Sequence, residues 1–235
     1  MRGFDNHSIN SQLLYALSLE EMTGAAGAQI YDRAKPHHTS FLRGATIAWA
    51  SLPSGLPYLD LTPTPDFIDC PIAATADLDF IAGDFSGAIW VNLDTTGMLI
   101  SRGDTDADGW FFEVVISRTL LLRTNQLGIG NHQDTDTDPF RPMVFGNWWL
   151  ASFSRSGQNA TIFINGVDVT LYPSGIHVDP DTSARELHIG VWDDETTGPL
   201  DGRIAGGPCC PRIWGRALAS WEHRQIFNME RHWFL

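Results

Sequence analysis

Residues 147–169 read NWWLASFSRSGQNATIFINGVDV. In an extended chain, Ile162 and Ile164 fall on one face and Thr161 and Phe163 on the other. Asn165-Gly166 follows, a pair that accepts positive φ at both positions and so matches the twist of two paired strands. The spacing predicts a hairpin over 160–172. Upstream, WWLASFSR (148–155) reads as its neighbouring strand, with Trp148 and Trp149 on opposite faces.

Working outward, similar strand-like runs recur between turn residues. They are QLLYALSL (12–19), ATIAWA (45–50), GAIWVNL (87–93), GMLISRG (97–103), WFFEVVIS (110–117), TLLLRTN (119–125), ELHIGVW (186–192) and PRIWGR (211–216). Many short strands at this spacing specify an all-β sandwich or barrel. One stretch has the pattern of a helix, SWEHRQIFNMERHW (220–233). Ser220 is the expected N-cap, the expected extent is about 220–230, and Ile226 and Phe227 are expected to dock it on the sandwich.

A chain of 235 residues with 43% hydrophobic and 18% charged residues can bury the core of one large β domain. Its net charge of −13, with a single lysine at Lys35, argues against a nucleic-acid partner, which needs clustered cations. No apolar run approaches the ~20 residues of a membrane span, so membrane insertion is not expected. The N-terminus lacks the apolar core and cleavage site of a signal peptide. Cys70, Cys209 and Cys210 form no disulfide or zinc pattern and are expected to be reduced and buried.

The order of the pieces resembles the laminin-G-like, concanavalin A-like jelly roll found in phage virion proteins. LLYALSLEEMTGAAGAQIYDRAKPHHTSFLRGATIAW (13–49) is similar to the family's opening. DFSGAIWVNLDTTGMLISRGD (84–104) is similar to its paired central strands, and 147–169 to its tryptophan-led hairpin. ELHIGVWDDETTGPLDGRI (186–204) and PRIWGRALASWEHRQIF (211–227) complete the match. The resemblance implies a sandwich of two antiparallel sheets with one short C-terminal helix, in a single domain over 13–235 preceded by an arm, 1–12. The family's calcium site would pair Asp32 with the position after GRI, but Ala205 stands there, followed by an AGGPCC insertion (205–210).

Several residues are candidates for chemistry. GDTDADGW (103–110) places Asp104, Asp106 and Asp108 at alternate positions before a glycine, the opening of a calcium loop. Counted from Asp104, position 12 is Val115 rather than the bidentate Glu of a helix–loop–helix site, so a polar hairpin turn is the competing reading. DTDTDP (134–139) is a second acidic run. Asp193 and Asp194 precede a Thr-Thr-Gly turn and are further candidate oxygen ligands beside Asp32. Trp110, Trp149 and Trp192 are candidate platforms for a sugar or a protein partner.

No strand carries the E-x-D-x-E alternation of jelly-roll glucanases, and no nucleophile motif is present, so an enzyme is not expected. The expected function is that of a virion structural protein on the particle surface. It would bind other virion proteins of a capsid or tail, as a multimer, by contacts from the arm, outward aromatics and ERHWFL (230–235). The alternative is a carbohydrate-binding lectin-like module that attaches a tail or fibre to a host surface glycan, with or without Ca2+.

Overall fold

All nine residues of the strand Phe85–Leu93, FSGAIWVNL, are buried. A strand buried on both faces must lie mid-sheet with cover above and below. A computed structural model, which describes residues 7–22, 24–63, 65–134, 143–171 and 176–235, shows how this is done. One edge of the strand pairs along its length with Trp148–Ser156. The other edge is shared: Gly202–Ala205 takes Val91 to Leu93, and Arg212–Trp214 takes Ser86 to Ala88.

Among the described residues this sheet has nine strands. Beyond Trp148–Ser156 come Asn159–Ile164 and Val167–Asp168; beyond Gly202–Ala205 come Pro57–Leu61 and Ala48–Ser51. Leu13–Ala16 pairs with Arg212–Trp214. The second sheet has eight strands, in the order Ile129–Asp134, Leu120–Gln126, Asp108–Val114, Gly97–Asp104, Leu187–Ile189, Phe67–Cys70, Thr39–Arg43 and Gln29–Tyr31. Neighbours are antiparallel throughout both sheets, and the chain is a jelly-roll β-sandwich with one short C-terminal helix, as expected.

Aromatic rings fill the space between the sheets. Phe85 lies 5.5 Å from Phe153 and 5.1 Å from Trp110, and Phe112 lies 4.9 Å from Phe153. Each such pair adds about 0.5–1.5 kcal/mol beyond its buried area. Gly87 makes the close approach possible, because a Cβ there would stand 2.6 Å from the Phe153 ring.

The predicted hairpin is present, with Asn165 and Gly166 at φ of 53° and 70°. Its second strand is two residues long rather than six. Phe163, on the face away from Ile162, is buried by stacking on His223 of the helix Ser220–Glu230 at 3.9 Å. The helix is capped by Ala219, one residue before the expected Ser220. Ala219 has no side-chain acceptor; instead Glu222 reaches back to accept from the Ala219 N–H at 2.9 Å.

The helix and the turn after it, Arg231–Phe234, cover the outer face of the first sheet. Ile226 is buried there, and Trp90 stacks on Phe234 at 4.1 Å. The Trp90 Nε1–H donates to Glu230 at 2.7 Å, and Arg212 pairs with the same carboxylate at 2.7 Å. Burial raises the Glu230 carboxyl above its ordinary value, against the pull of Arg212 and Trp90. Cys70, Cys209 and Cys210 are free and buried.

A buried pair of this kind is sensitive to loss of one member. Arg212→Met is expected to destabilise the fold by roughly 3–5 kcal/mol, read from the urea midpoint. A loss below about 1 kcal/mol would show that Glu230 finds other compensation.

Candidate binding site

Ile9 is 2% exposed, which fixes the chain start described here to the body of the domain. The 3-10 turn Ser8–Asn10 carries it, and His7 Nδ1 accepts from the Ile9 N–H at 3.3 Å. Arg216 clamps the segment by donating to the carbonyls of Ser11 at 2.9 Å and Ile9 at 3.1 Å. Gln12 then adopts φ of 59°, and the chain turns into Leu13–Ala16. Residues 7–12 therefore dock on their own domain instead of reaching outward as the arm was expected to do; residues 1–6 lie outside the described residues.

The facing wall is built by Asp32. Its buried carboxylate accepts from the N–H groups of Ala16 and Ala34, both at 2.8 Å, and of His38 at 3.0 Å. The second oxygen also meets His38 Nδ1 at 2.8 Å, while His38 Nε2 meets Asp77 at 2.8 Å. Burial pushes His38 down, but the hydrogen bonds to Asp32 and Asp77 outweigh it and raise the imidazole to about 9. All these donors are protein groups, so Asp32 serves as a loop anchor, a use the calcium reading did not anticipate.

Between the two walls runs an open groove of about 710 Å3, whose rim includes His7, Ser8, Asn10, Arg33 and Lys35. A second recess of about 350 Å3 adjoins it across Pro36 and is lined by His37, His38 and Asp77. Polar side chains on pinned backbone, with the chain's one lysine at the rim, suit a polar ligand. Sequence reading missed this groove, because its walls come from two separate segments, 7–14 and 33–36, and neither carries a ligand-binding motif.

The predicted acidic residues gather elsewhere. Asp104 and Asp108 face each other across the hairpin that joins Gly97–Asp104 to Asp108–Val114. The Arg185 guanidinium lies among them, 3.0 Å from Asp104 and 3.8 Å from Asp108, and also pairs with Asp193. Asp106, at φ of 58°, turns to Arg123 instead. The cluster thus holds two arginines where three aspartates and a glycine suggested a metal ion. Asp194 stands apart: burial's upward push is outweighed by hydrogen bonds from Thr197 and Thr196, which hold its carboxyl at about 2. The run 134–139 lies outside the described residues beyond Asp134.

Of the three tryptophan platforms, Trp110 is corrected outright. It is 0% exposed, donates to the Leu78 carbonyl at 3.1 Å, and belongs to the core, because its side of the strand faces the other sheet. Trp149 is half-buried against the core and donates to the Val144 carbonyl at 3.0 Å. Trp192 is half-buried and packs edge-on to Phe111 at 4.3 Å. Trp148 and Trp149 do point to opposite faces, toward the outer and inner clusters respectively.

No protein-family profile matches this sequence, and no curated protein does. Solved structures do share its fold. The binding domain of botulinum neurotoxin DC, solved with rat synaptotagmin II, superposes with a TM-score of 0.68 at 13% identity, over 94% of this chain and 52% of that one. A botulinum neurotoxin type C structure, from work on cell entry through two ganglioside molecules, gives a TM-score of 0.68, 13% identity and coverage of 94% and 52%. The binding domain of Paraclostridial Mosquitocidal Protein 1 gives a TM-score of 0.68, 14% identity and coverage of 94% and 53%. The chain spans about half the length of each, and at these identities the likeness is one of fold, a jelly-roll β-sandwich.

Two measurements test the site's electrostatics. His38 is raised from an ordinary 6.5 to about 9, so its contribution is complete below pH 6.5 and is lost as pH rises through 9. Relative to His38→Asn, the wild type is expected to lose roughly 1–3 kcal/mol between those limits in urea titrations. Separately, Arg185→Ala frees Asp104, Asp108 and Asp193 of their cation. Millimolar calcium is expected to raise the melting temperature of that variant and to leave the wild type unmoved.

Proposed function

We propose that this domain is a non-enzymatic carbohydrate-binding module that docks a polar glycan, preferentially an acidic one, in the groove between residues 7–14 and 33–36. The groove itself carries the reading: it is open, mixes polar and apolar lining, and holds the exposed Lys35 at its rim, beside Arg33 paired with Glu20, in a chain of net charge −13. Asp32 and Arg216 hold its two walls from behind, so little ordering is left to occur on binding. The solved neighbours described as binding domains supply the same scaffold, and one of them is tied to gangliosides.

The virion reading is kept in its adhesive form. On a particle surface, tail or fibre, such a groove would face a host glycan. Pure shell decoration is less favoured, because two of the surfaces assigned to it are used within the domain. Ile9 of the arm is buried, and Phe234 near the C-terminus stacks on Trp90.

The test is a glycan array with the labelled full chain, followed by calorimetry on the strongest ligand. Binding is expected to fall at least tenfold in Lys35→Glu, about 1.4 kcal/mol, with the melting temperature unchanged. Mass spectrometry of the recovered glycan is expected to show it intact. An array with no bound glycan, or a ligand indifferent to Lys35→Glu, would overturn this reading; a cleaved glycan would overturn its non-enzymatic part.

A further inference from the structure

The outer face of the second sheet carries a side-chain cluster that the glycan reading does not use. Strands Phe67–Cys70 and Leu187–Ile189 place Asp69 directly opposite His188. Glu186, two residues before His188, projects to the same face. The chain then folds back over it. The Asp194 carboxylate accepts from the N–H groups of Thr196 at 2.9 Å and Thr197 at 2.7 Å, and the Trp192 N–H donates to the Thr197 carbonyl at 3.1 Å. This turn brings Glu195 to the cluster. One ligating atom from each of Glu186, His188 and Glu195 lies within 4.8 Å of the others.

His188 is the group that asks for a ligand. It is 2% exposed and fixed edge-on to Phe67 at 5.4 Å, yet among the described residues neither ring nitrogen has a partner in strict hydrogen-bond geometry, with only a looser backbone approach from Trp192. Its Nε2 is 3.7 Å from Glu186 Oε2, beyond hydrogen-bond reach. A buried ring with two unused polar atoms is the exception in folded proteins. Burial holds the imidazole below its ordinary value, against Glu195, Asp69 and a backbone hydrogen bond with Trp192.

The charges point the same way. Arg43 is bidentate on Asp69, at 2.8 and 3.0 Å, and answers that carboxylate. Arg185 is engaged by Asp104, Asp108 and Asp193. Glu186 and Glu195 feel the field of Arg43 but form no ion pair with it, so the cluster is left richer in carboxylates than in cations.

We propose that Glu186, His188 and Glu195 bind one divalent transition metal of the zinc class, which clips the 192–197 turn to the sheet. An imidazole among carboxylates selects such a metal over calcium, which prefers oxygen alone. Zinc bonds of about 2.0–2.2 Å require ligand atoms roughly 3.4 Å apart. The His188–Glu186 separation is nearly there, and Glu195, exposed on its turn, is free to close in. Three protein ligands leave a fourth position for water or an incoming donor. None of these residues lines the groove, so the inference stands apart from glycan binding.

The full chain, stripped with EDTA, should be titrated with zinc by calorimetry and with cobalt by visible absorption. The expected result is one site per chain, cobalt bands of a nitrogen- and oxygen-ligated ion, and slower amide exchange over 192–197. Glu195→Gln and His188→Asn should each weaken zinc at least tenfold. The exposed Glu195→Gln variant should keep the metal-free melting temperature, which separates ligand loss from misfolding. Lys35→Glu should bind zinc like the wild type, so failure of the glycan reading and failure of this one are distinguishable. No saturable zinc binding, or binding unchanged in both Glu195→Gln and His188→Asn, would overturn the proposal.

Discussion

Everything in this domain is arranged around a strand with no exposed residue. Phe85–Leu93 sends Phe85, Ile89 and Val91 into the space between the sheets and Ala88 and Trp90 to the other side. The inner side is answered by the second sheet. The outer side is left to whatever the chain can lay across it. That cover is the helix Ser220–Glu230, the turn Arg231–Phe234 and Ile9. The two ends of the described chain are thus drawn to one face by a single strand's demand for burial.

This constraint shapes the functional reading. Segments that look like free arms in the sequence are structural cover, and they leave the partner-seeking role to surfaces that cover nothing. The groove arises as a by-product: the returning N-terminal segment stops beside the loop that Asp32 anchors, and polar rims meet across open space. A site built from two such pinned edges needs no dedicated domain, which is how one sandwich serves many ligands.

Much of the fold was legible. The Asn165-Gly166 hairpin, the long central strands and the helix all carry local signals of period or turn chemistry. The strands that were missed share a physical reason. Gln29–Tyr31 is three residues long, Thr39–Arg43 alternates in burial while its residue types do not, Phe67–Cys70 is buried at all four positions, and Gly202–Ala205 finds Pro57–Leu61 far away in sequence. The site was less legible than the fold. Aspartate spacing in GDTDADGW foretold a cluster of oxygens, but the group that meets Asp104 is Arg185, 81 residues later. Trp110 reads as a platform only until the strand's facing is known.

The way this acidic chain answers its carboxylates gives the sharpest view of where function lies. Arginine is the usual reply: Arg43 to Asp69, Arg123 to Asp106, Arg185 to Asp104, Arg203 to Asp60, Arg212 to Glu230 and Arg216 to Glu222. A guanidinium suits this work because its planar fork meets two oxygens at once and stays charged when buried. Asp32 and Asp194 are answered instead by backbone N–H groups and neighbouring side chains, and two further places differ again. At Lys35 a compact, flexible cation stands exposed on a groove rim. At Glu186 and Glu195 the side chain within ligating distance is a buried histidine rather than an arginine. Where arginine closes a cluster, the chemistry is finished within the chain. Where neither arginine nor backbone closes it, the two proposed ligands have their place.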